Sequence, residues 1–543
     1  MKIHIYILFI GILATSLYSC SDYLDTQPYS KNTVDKLYTS ASGAELGLTG
    51  CYSTLNASNI QGVTNGSFVV DMPMMFNAGT DEVIKSPGLT RLGLSEIAGH
   101  TYTSQNSTLR ENWFFLFAGV NRTNYLIENI DGIDMDETRK KEIKGEGHFL
   151  RGLYYFYLSL SYGALPLYES PNHSEDAQRE PIEKVYELIV ADLTIAYETL
   201  PEISSREGRA NKWSAAGFLA KVYTYLGSCK NNNIGADLNF ELNSFDWVDA
   251  NNMYSNAKTI TDDIISNSGL RLTEEYNYLF RETTGSWQVE ESLFALQGSK
   301  SASNGNYNLL LYWQVPTGGA TTLGGGYGWL RPTGELFNKY DSLDLRKAHN
   351  LVQGYKTSSS IENIEGNDYY IPEPLNAPTN NGYCVGKYRH RVPSTKTIPN
   401  KVWSDGDIIL LRYADIILLN AEARFFTGDE AGARNKLREI RDRAANDGQL
   451  DIIEAAYYNS NFATELLESR SRELCFEGWR RFDLIRFGKM GEAINNLSID
   501  VGRWNTATVI NELQQNWEPY NIWYPIPKTD IELSPIEQNP GYN

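Results

Sequence analysis

Apolar residues recur at three- and four-residue steps in several blocks of this chain, the spacing that lines one face of an α-helix. From about Glu111 to Ile130, positions Trp113, Leu116, Val120, Asn124 and Ile127 form such a face. A second block runs from about Asp136 through Ser161 and carries Phe149, Leu150, Leu153, Tyr154 and Tyr157. Pro181 stands where a first helical turn accepts proline, and the helix it opens continues to about Leu200. A fourth begins after Asn211 and runs through Ala216, Phe218, Leu219, Ala220, Val222 and Tyr223 to Gly227. Its first half is rich in small residues, which let a neighbouring helix approach closely. Between Leu411 and Ala445 two helices follow one another around the turn Thr427-Gly428-Asp429. Tyr413, Ile416, Ile417 and Asn420 mark the inner face of the first, and Ala433, Leu437, Ile440 and Ala444 line the second. A hairpin of about 34 residues has the size of a tetratricopeptide unit, although a packed hairpin of another kind would share the period.

The stretches from Gly62 to Asn106 and from Asn231 to Asn400 lack that period and read as irregular loops rich in Gly and Asn. The second holds strand-like runs, Ser292 to Gln297 and Leu309 to Gln314, and the clusters Gly318-Gly319 and Gly324-Gly325-Gly326. Loops this long in a compact protein are functional or disordered, and their aromatic content favours order. The chain has 35 Tyr, 20 Phe and 11 Trp. Most must be core, but a surplus of rings among amides in polar loops also suits a sugar. The C–H face of a pyranose stacks on a ring while its hydroxyls reach Asn, Gln, Asp or Arg. Trp313 and Trp329 are the leading candidates, followed by Tyr312 and Tyr327, then Tyr307 and Tyr102. Arg91, Asn304 and Gln314 are candidate hydrogen-bond partners. Burial against the helical body is the competing explanation for each.

The first residues carry a different signal. Lys2 gives a short positive start, Ile5 to Leu17 is apolar, and Leu17-Tyr18-Ser19-Cys20 closes the run. This is a secretory leader over residues 1–19, too short to remain as a spanning helix. A cysteine after a small residue at that point resembles a bacterial lipobox, in which the thiol is acylated and becomes the first mature residue. Ordinary cleavage beside an incidental cysteine is the alternative. Stable anchoring takes more than one acyl chain, as a lipidated cysteine provides. The formal charge of −19 argues against nucleic acid, whose phosphates an acidic body repels, and against lying flat on an anionic bilayer. Cys51, Cys229, Cys384 and Cys475 are widely spaced, unlike a zinc site, and isolated buried thiols are expected.

Catalytic signatures are thin. The glycines from 319 to 326 lack the Gly-Lys-Ser/Thr ending of a P-loop. The six histidines show no His-Glu-x-x-His pattern, and no Gly-x-Ser-x-Gly elbow occurs. No cofactor is expected. Asp341 to Asp344 could hold an adventitious calcium, but without EF-hand spacing. Glu473, Glu477 and Asp483 lie close together, which by itself suggests acid/base chemistry. Yet Arg470, Arg472, Arg480, Arg481 and Arg486 stand within helical reach, and an arginine lowers a carboxyl pKa where a general acid needs it raised. A structural ion network is expected there.

That segment, Arg472-Glu473-Leu474-Cys475-Phe476-Glu477-Gly478-Trp479-Arg480-Arg481-Phe482-Asp483-Leu484-Ile485-Arg486-Phe487-Gly488, resembles the signature of the SusD/RagB family of surface nutrient-binding lipoproteins. Arg412-Tyr413-Ala414-Asp415 with Asn420-Ala421-Glu422-Ala423 is similar to a family helix. So are the ending, Tyr524-Pro525-Ile526-Pro527 and Asn539-Pro540-Gly541-Tyr542, and Tyr23-Leu24-Asp25 after the cysteine. Phe149-Leu150-Arg151, Tyr154-Tyr155-Phe156, Tyr162-Gly163 and Pro166-Leu167 fit as well. The resemblance implies a mainly α fold of about four tetratricopeptide-like helix pairs, a loop-rich binding face and a few short strands. It divides the mature chain into an N-terminal half over 20–230 and a C-terminal half over 231–543. It implies a glycan-binding, non-enzymatic lipoprotein, tethered through Cys20 to the outer membrane and exposed at the surface of a Gram-negative cell. Ser21-Asp22 resembles an export signal to that surface. It also implies a partner, a SusC-like TonB-dependent transporter. A peptide binder of the RagB kind and, more remotely, a surface glycoside hydrolase are the alternatives.

Overall fold

Side chains that satisfy orphan backbone N–H groups set the helix starts. Asn106 accepts from Leu109 N, Asp136 from Arg139 N, and Asn211 forms a reciprocal capping box with Ser214. The computed structural model describes residues 37–56, 68–86, 88–174, 177–282, 290–298, 328–354, 361–364, 366–370, 373–374, 384–389, 391, 405–499 and 507–542. Within these, helices Ala41–Asn56, Ser107–Asn129, Glu137–Tyr162, Ile182–Thr199, Lys212–Asn231, Ala250–Asn267, Tyr413–Phe426 and Glu430–Arg443 pack each against the next. They form an array of four pairs, and the fold is mainly α, as expected. The strands are short. Ser292–Leu296 pairs antiparallel with Ile408–Arg412, and Val83–Lys85 with Leu330–Pro332. Leu351–Gly354 lies between Glu373–Pro374 and Cys384–Val385, and Ile361–Ile364 pairs with Asn367–Tyr370.

Two expectations need correction. The stretches read as irregular contain helices, at Phe68–Asn77, Leu92–Ala98 and, above all, Ala250–Asn267. Asp249 caps the last of these, and it buries Tyr254, Ala257, Thr261 and Ile264 between Lys212–Asn231 and Tyr413–Phe426. Its buried stripe is four residues wide and includes a threonine, so Asn, Ser and Thr on the other faces obscure the period. The small residues early in Lys212–Asn231 do admit a close neighbour, but the neighbour is the strand pair. A Cβ on Gly217 would lie 2.6 Å from Leu411 Cδ2 and 2.8 Å from Leu293 Cδ2. The four described cysteines are free and buried.

The second correction concerns the signature segment. Its carboxylates are ion-paired, but mostly not to the arginines beside them. The helix Phe462–Leu474 stops at Leu474, and Phe476 (φ 68°) and Gly478 (φ 85°) turn the chain before Arg480–Arg486 begins. Helical spacing therefore fails across the turn, which Asn77 clamps by accepting from Gly478 N at 3.0 Å. Only Asp483 keeps local partners, Arg486 Nε at 2.9 Å and Arg470 Nε at 2.8 Å. Glu473 instead meets Arg346 Nη1 at 2.9 Å, Arg412 Nη1 at 2.6 Å and the Arg443 guanidinium. Arg412 is the hub. Its Nε donates to Glu477 Oε2 at 2.8 Å, and Nη1 donates to Glu291 Oε1 at 2.7 Å as well as to Glu473. Its Nη2 donates to the Glu473 carbonyl and to Glu477 Oε1, both at 2.8 Å. All the N–H donors of a guanidinium are thus engaged. Lys387 Nζ completes the knot on the carbonyls of Glu473 and Cys475, each at 2.9 Å, and on Glu477 Oε1 at 2.5 Å.

Burial alone would push the Glu473 carboxyl up, but Arg443, Arg412 and Arg346 outweigh it and hold it below the usual range. Asp415 is likewise held down against its burial, by Lys221 and Arg470. Removing one member of a buried pair strands the rest, so Arg412→Met is expected to cost about 3–5 kcal/mol in denaturant unfolding. Arg438→Ala, in an exposed and solvent-screened pair with Asp451, is expected to leave the unfolding midpoint essentially unchanged. A loss under 1 kcal/mol for Arg412→Met would show that the knot is not holding the fold. The depressed carboxyls also set an acid limit. Their stabilisation is complete above the unfolded carboxylate pKa of about 4 and is lost as pH falls through the lower folded values. These depressed groups therefore keep their full contribution down to about pH 5, and the melting temperature is expected to fall steeply below about 4.

Candidate functional site

The candidate sugar platform depends on how remote loops are brought to one edge. Val83–Lys85 pairs with Leu330–Pro332 in the register Lys85↔Leu330, and the ladder extends where Ser86 N donates to the Trp329 carbonyl at 2.8 Å. The pairing is buried, since Ile84 and Leu330 belong to the core. It fixes Trp329 beside the stretch leading to Arg91, although well over two hundred residues separate them in sequence. Trp329 is half-buried, one side packed on the core. Arg91 precedes the short helix Leu92–Ala98, and its Nη2 lies 3.5 Å from Glu111 Oε2.

Tyr102 does not join them. It is 5% exposed, its hydroxyl donates to the Asn521 carbonyl at 3.4 Å, and its ring meets Tyr524 edge-on at 5.1 Å. Packing explains it fully, so its place among the candidate rings is corrected to core. Asn304, Tyr307, Tyr312, Trp313, Gln314 and Tyr327 lie outside the described residues, as do Cys20 and the run from Leu309 to Gln314. What the structure supplies is the frame from which their segment departs and returns. Ser292–Leu296 leads to Gly298, whose N–H donates to Asp407 Oδ1 at 3.0 Å. The chain comes back at Gly328 with φ 55°, a left-handed conformation that glycine adopts without strain. Burial pushes the Asp407 carboxyl up to about 6, reinforced by Glu207 and Asp405 and opposed by the Gly298 bond.

Two further openings went unnoticed in the sequence. One, about 360 Å³, lies between the 338–341 turn, the 456–459 turn and the helix Phe462–Leu474. Tyr458, 61% exposed, stands at it beside Asn459. The run Tyr457-Tyr458-Asn459 carried the same ring-and-amide signal as the chosen loops, but in a short interhelical connection. The second, about 380 Å³, lies across the Lys339–Glu468 pair, with Leu467, Leu484 and Phe487 on its wall. Among the described residues no group of three His, Cys, Asp or Glu side chains is placed to hold a metal. Asp344 is committed to Arg346, at 2.7 Å.

The platform frame and the helical array together match a known family. A model described as the SusD family matches residues 290–542, and one described as starch-binding, associating with outer membrane, matches residues 22–224. The chain belongs to the SusD family. Among its relatives is SusD-like protein P25 of Formosa agariphila, 24% identical over 99% of this chain and 98% of that one. Among solved structures, a SusD homolog from Bacteroides thetaiotaomicron superposes with a TM-score of 0.73 at 21% identity, covering 94% of this chain and 99% of that one. The surface glycan-binding protein A of Bacteroides thetaiotaomicron, solved with laminarihexaose, gives 0.69 at 18% identity, covering 92% and 100%. At these identities the likeness establishes the shared SusD fold, and the ligand belongs to that protein. No described helix is long and apolar enough to cross a membrane.

If Asp407 is a buried carboxyl held at a cost, Asp407→Asn should keep the bond from Gly298 while removing the charge. The group's pKa is raised in the fold, so its ionisation destabilises the protein as pH climbs from about 4 through 6. The variant is expected to melt higher than the parent at pH 8 and equally at pH 4. Equal melting at both would count against a desolvated charge.

Proposed function

We propose that this SusD-family protein is a cell-surface lipoprotein that binds oligosaccharide or polysaccharide and passes it to a SusC-like TonB-dependent transporter. The observation that carries the reading is the strand pairing that brings Trp329 beside the approach to Arg91. It makes one edge from two remote loops, at the point where the ring-rich 299–327 segment returns. Support also comes from the family description and from the laminarihexaose bound by a protein of the same fold. In this reading Trp313 and Trp329 stack on sugar faces, Tyr307, Tyr312 and Tyr327 extend the stack, and Arg91, Asn304 and Gln314 meet hydroxyls. Binding without cleavage is favoured because the clustered signature carboxylates are paired with guanidinium groups in the core. Acylated Cys20 would hold the body at the outer membrane while it exchanges ligand with the transporter.

Calorimetric titration of the mature protein with soluble laminarin, starch and other glycans, beside a peptide library, tests the reading. A glycan is expected to bind, and Trp313→Ala to weaken it about tenfold with an unchanged melting temperature. Trp329→Ala is expected to lower affinity and also cost about 1–2 kcal/mol of stability, because one side of that ring is packed. Binding of peptides alone, or new reducing ends in the glycan, would replace this reading with a peptide carrier or a hydrolase. Cys20→Ser should move the protein out of the membrane fraction, and retention there would disprove lipid anchoring.

A further inference from the structure

The opening beside Tyr458 contains an unusual cation. Arg472 is 4% exposed, yet among the described residues no carboxylate lies within ion-pair distance of it. Its Nη1 donates to the Lys339 carbonyl at 3.2 Å, its Nη2 to Ser469 Oγ at 3.4 Å, and its Nε has no partner. The guanidinium lies 3.7 Å from the centre of the Tyr457 ring, whose face offers partial compensation and no formal charge. Arg179 and Arg481 are likewise buried and held by carbonyls, but other buried arginines are paired. Arg346, Arg441, Arg470, Arg480 and Arg486 hold carboxylates at 2.7, 2.7, 2.8, 2.5 and 2.5 Å. Burial depresses the Arg472 pKa to about 10, with Tyr457 and the more distant Glu468 opposing and Arg346 and Arg441 adding to the effect.

Two of the three acids that line this cleft are already ion-paired. Glu465 is paired with Arg434 at 2.5 Å and Arg441 at 2.7 Å, and Glu468 with Lys339 at 2.6 Å. Asp341, at the mouth, accepts from Leu343 N at 2.8 Å. A buried cation lacking a counter-charge is stabilised by an anion in the adjoining space, where low polarity strengthens the attraction. The volume, about 360 Å³, is that of a small-molecule site. At its opening the exposed Tyr458 ring offers a stacking face, and Asn338 and Asn459 offer amides for hydroxyls. We propose that this cleft is a second saccharide site, separate from the loop platform, and that it selects a sugar bearing a carboxylate or sulfate. Arg472 attracts the anionic group, and Tyr458 stacks on the ring; Lys339 is already held by Glu468 and Asp81. In a chain of net charge −19 such a site must act locally, so its affinity falls as salt screens the attraction.

Saturation-transfer NMR and calorimetry on the mature chain test this with oligogalacturonate, a sulfated galactan oligomer, their neutral counterparts and sodium sulfate. An acidic oligomer is expected to bind saturably, and its neutral counterpart at least about tenfold more weakly. Tyr458→Ala, which removes an exposed ring, is expected to weaken acidic-sugar binding about tenfold without changing the melting temperature. Arg472→Met is expected to abolish the preference for the acidic over the neutral oligomer. Trp313→Ala, on the other platform, should leave acidic-sugar binding unchanged, which separates this site from the function proposed above. The proposal is overturned if no acidic oligomer binds, if acidic and neutral oligomers bind alike, or if Tyr458→Ala has no effect. Inorganic sulfate binding as tightly as the oligomers would also overturn it, by reducing the cleft to a simple anion site.

Discussion

The fold is arranged around one buried arginine, Arg412, whose N–H donors are all engaged. Arg412 closes the strand Ile408–Arg412 and directly precedes the helix Tyr413–Phe426. Its donors reach Glu291 beside the partner strand and Glu473 and Glu477 on either side of the signature turn. Through Glu473 the knot extends to Arg346 and to Arg443 in the last helix of the array. Each charge would be prohibitively expensive to bury alone, so the segments must assemble together or not at all. Polar groups act here as a specification of register rather than as a large net source of stability.

That constraint has a consequence for the binding edge. The strand Ser292–Leu296 launches the 299–327 segment and is fixed by pairing with the strand that Arg412 ends. The other end of the segment is fixed by pairing with Val83–Lys85, next to residues the same signature region holds. Glu82 accepts from Ser471, and Asp81 pairs with Arg480. Both flanks of the 299–327 segment are thus fixed to the core.

Helices with broad apolar faces were legible from spacing alone, with ends within a few residues. Ala250–Asn267 was not, because its buried stripe is narrow and its remaining faces are amide- and hydroxyl-rich. Tyr102 looked like a platform ring because it stands among polar residues. The C-terminal segment that covers it, bearing Asn521, Tyr524 and Tyr542, lies over four hundred positions away. Tyr458 was overlooked for the opposite reason, as a ring in a brief turn, and only the flanking helices leave it open.

By itself the sequence determined the helical period, the acidic character and the signature whose carboxylates must be neutralised. Those are local or compositional properties, and each can be read within a few turns of chain. Only the tertiary structure decided which cations neutralise which acids, because the turn at Phe476 and Gly478 breaks the helical spacing on which a local pairing relies. It likewise decided that Trp329 lies beside the approach to Arg91 and that Arg472 lacks a carboxylate. Partnership across hundreds of residues is set by strand register and burial, which no local pattern encodes.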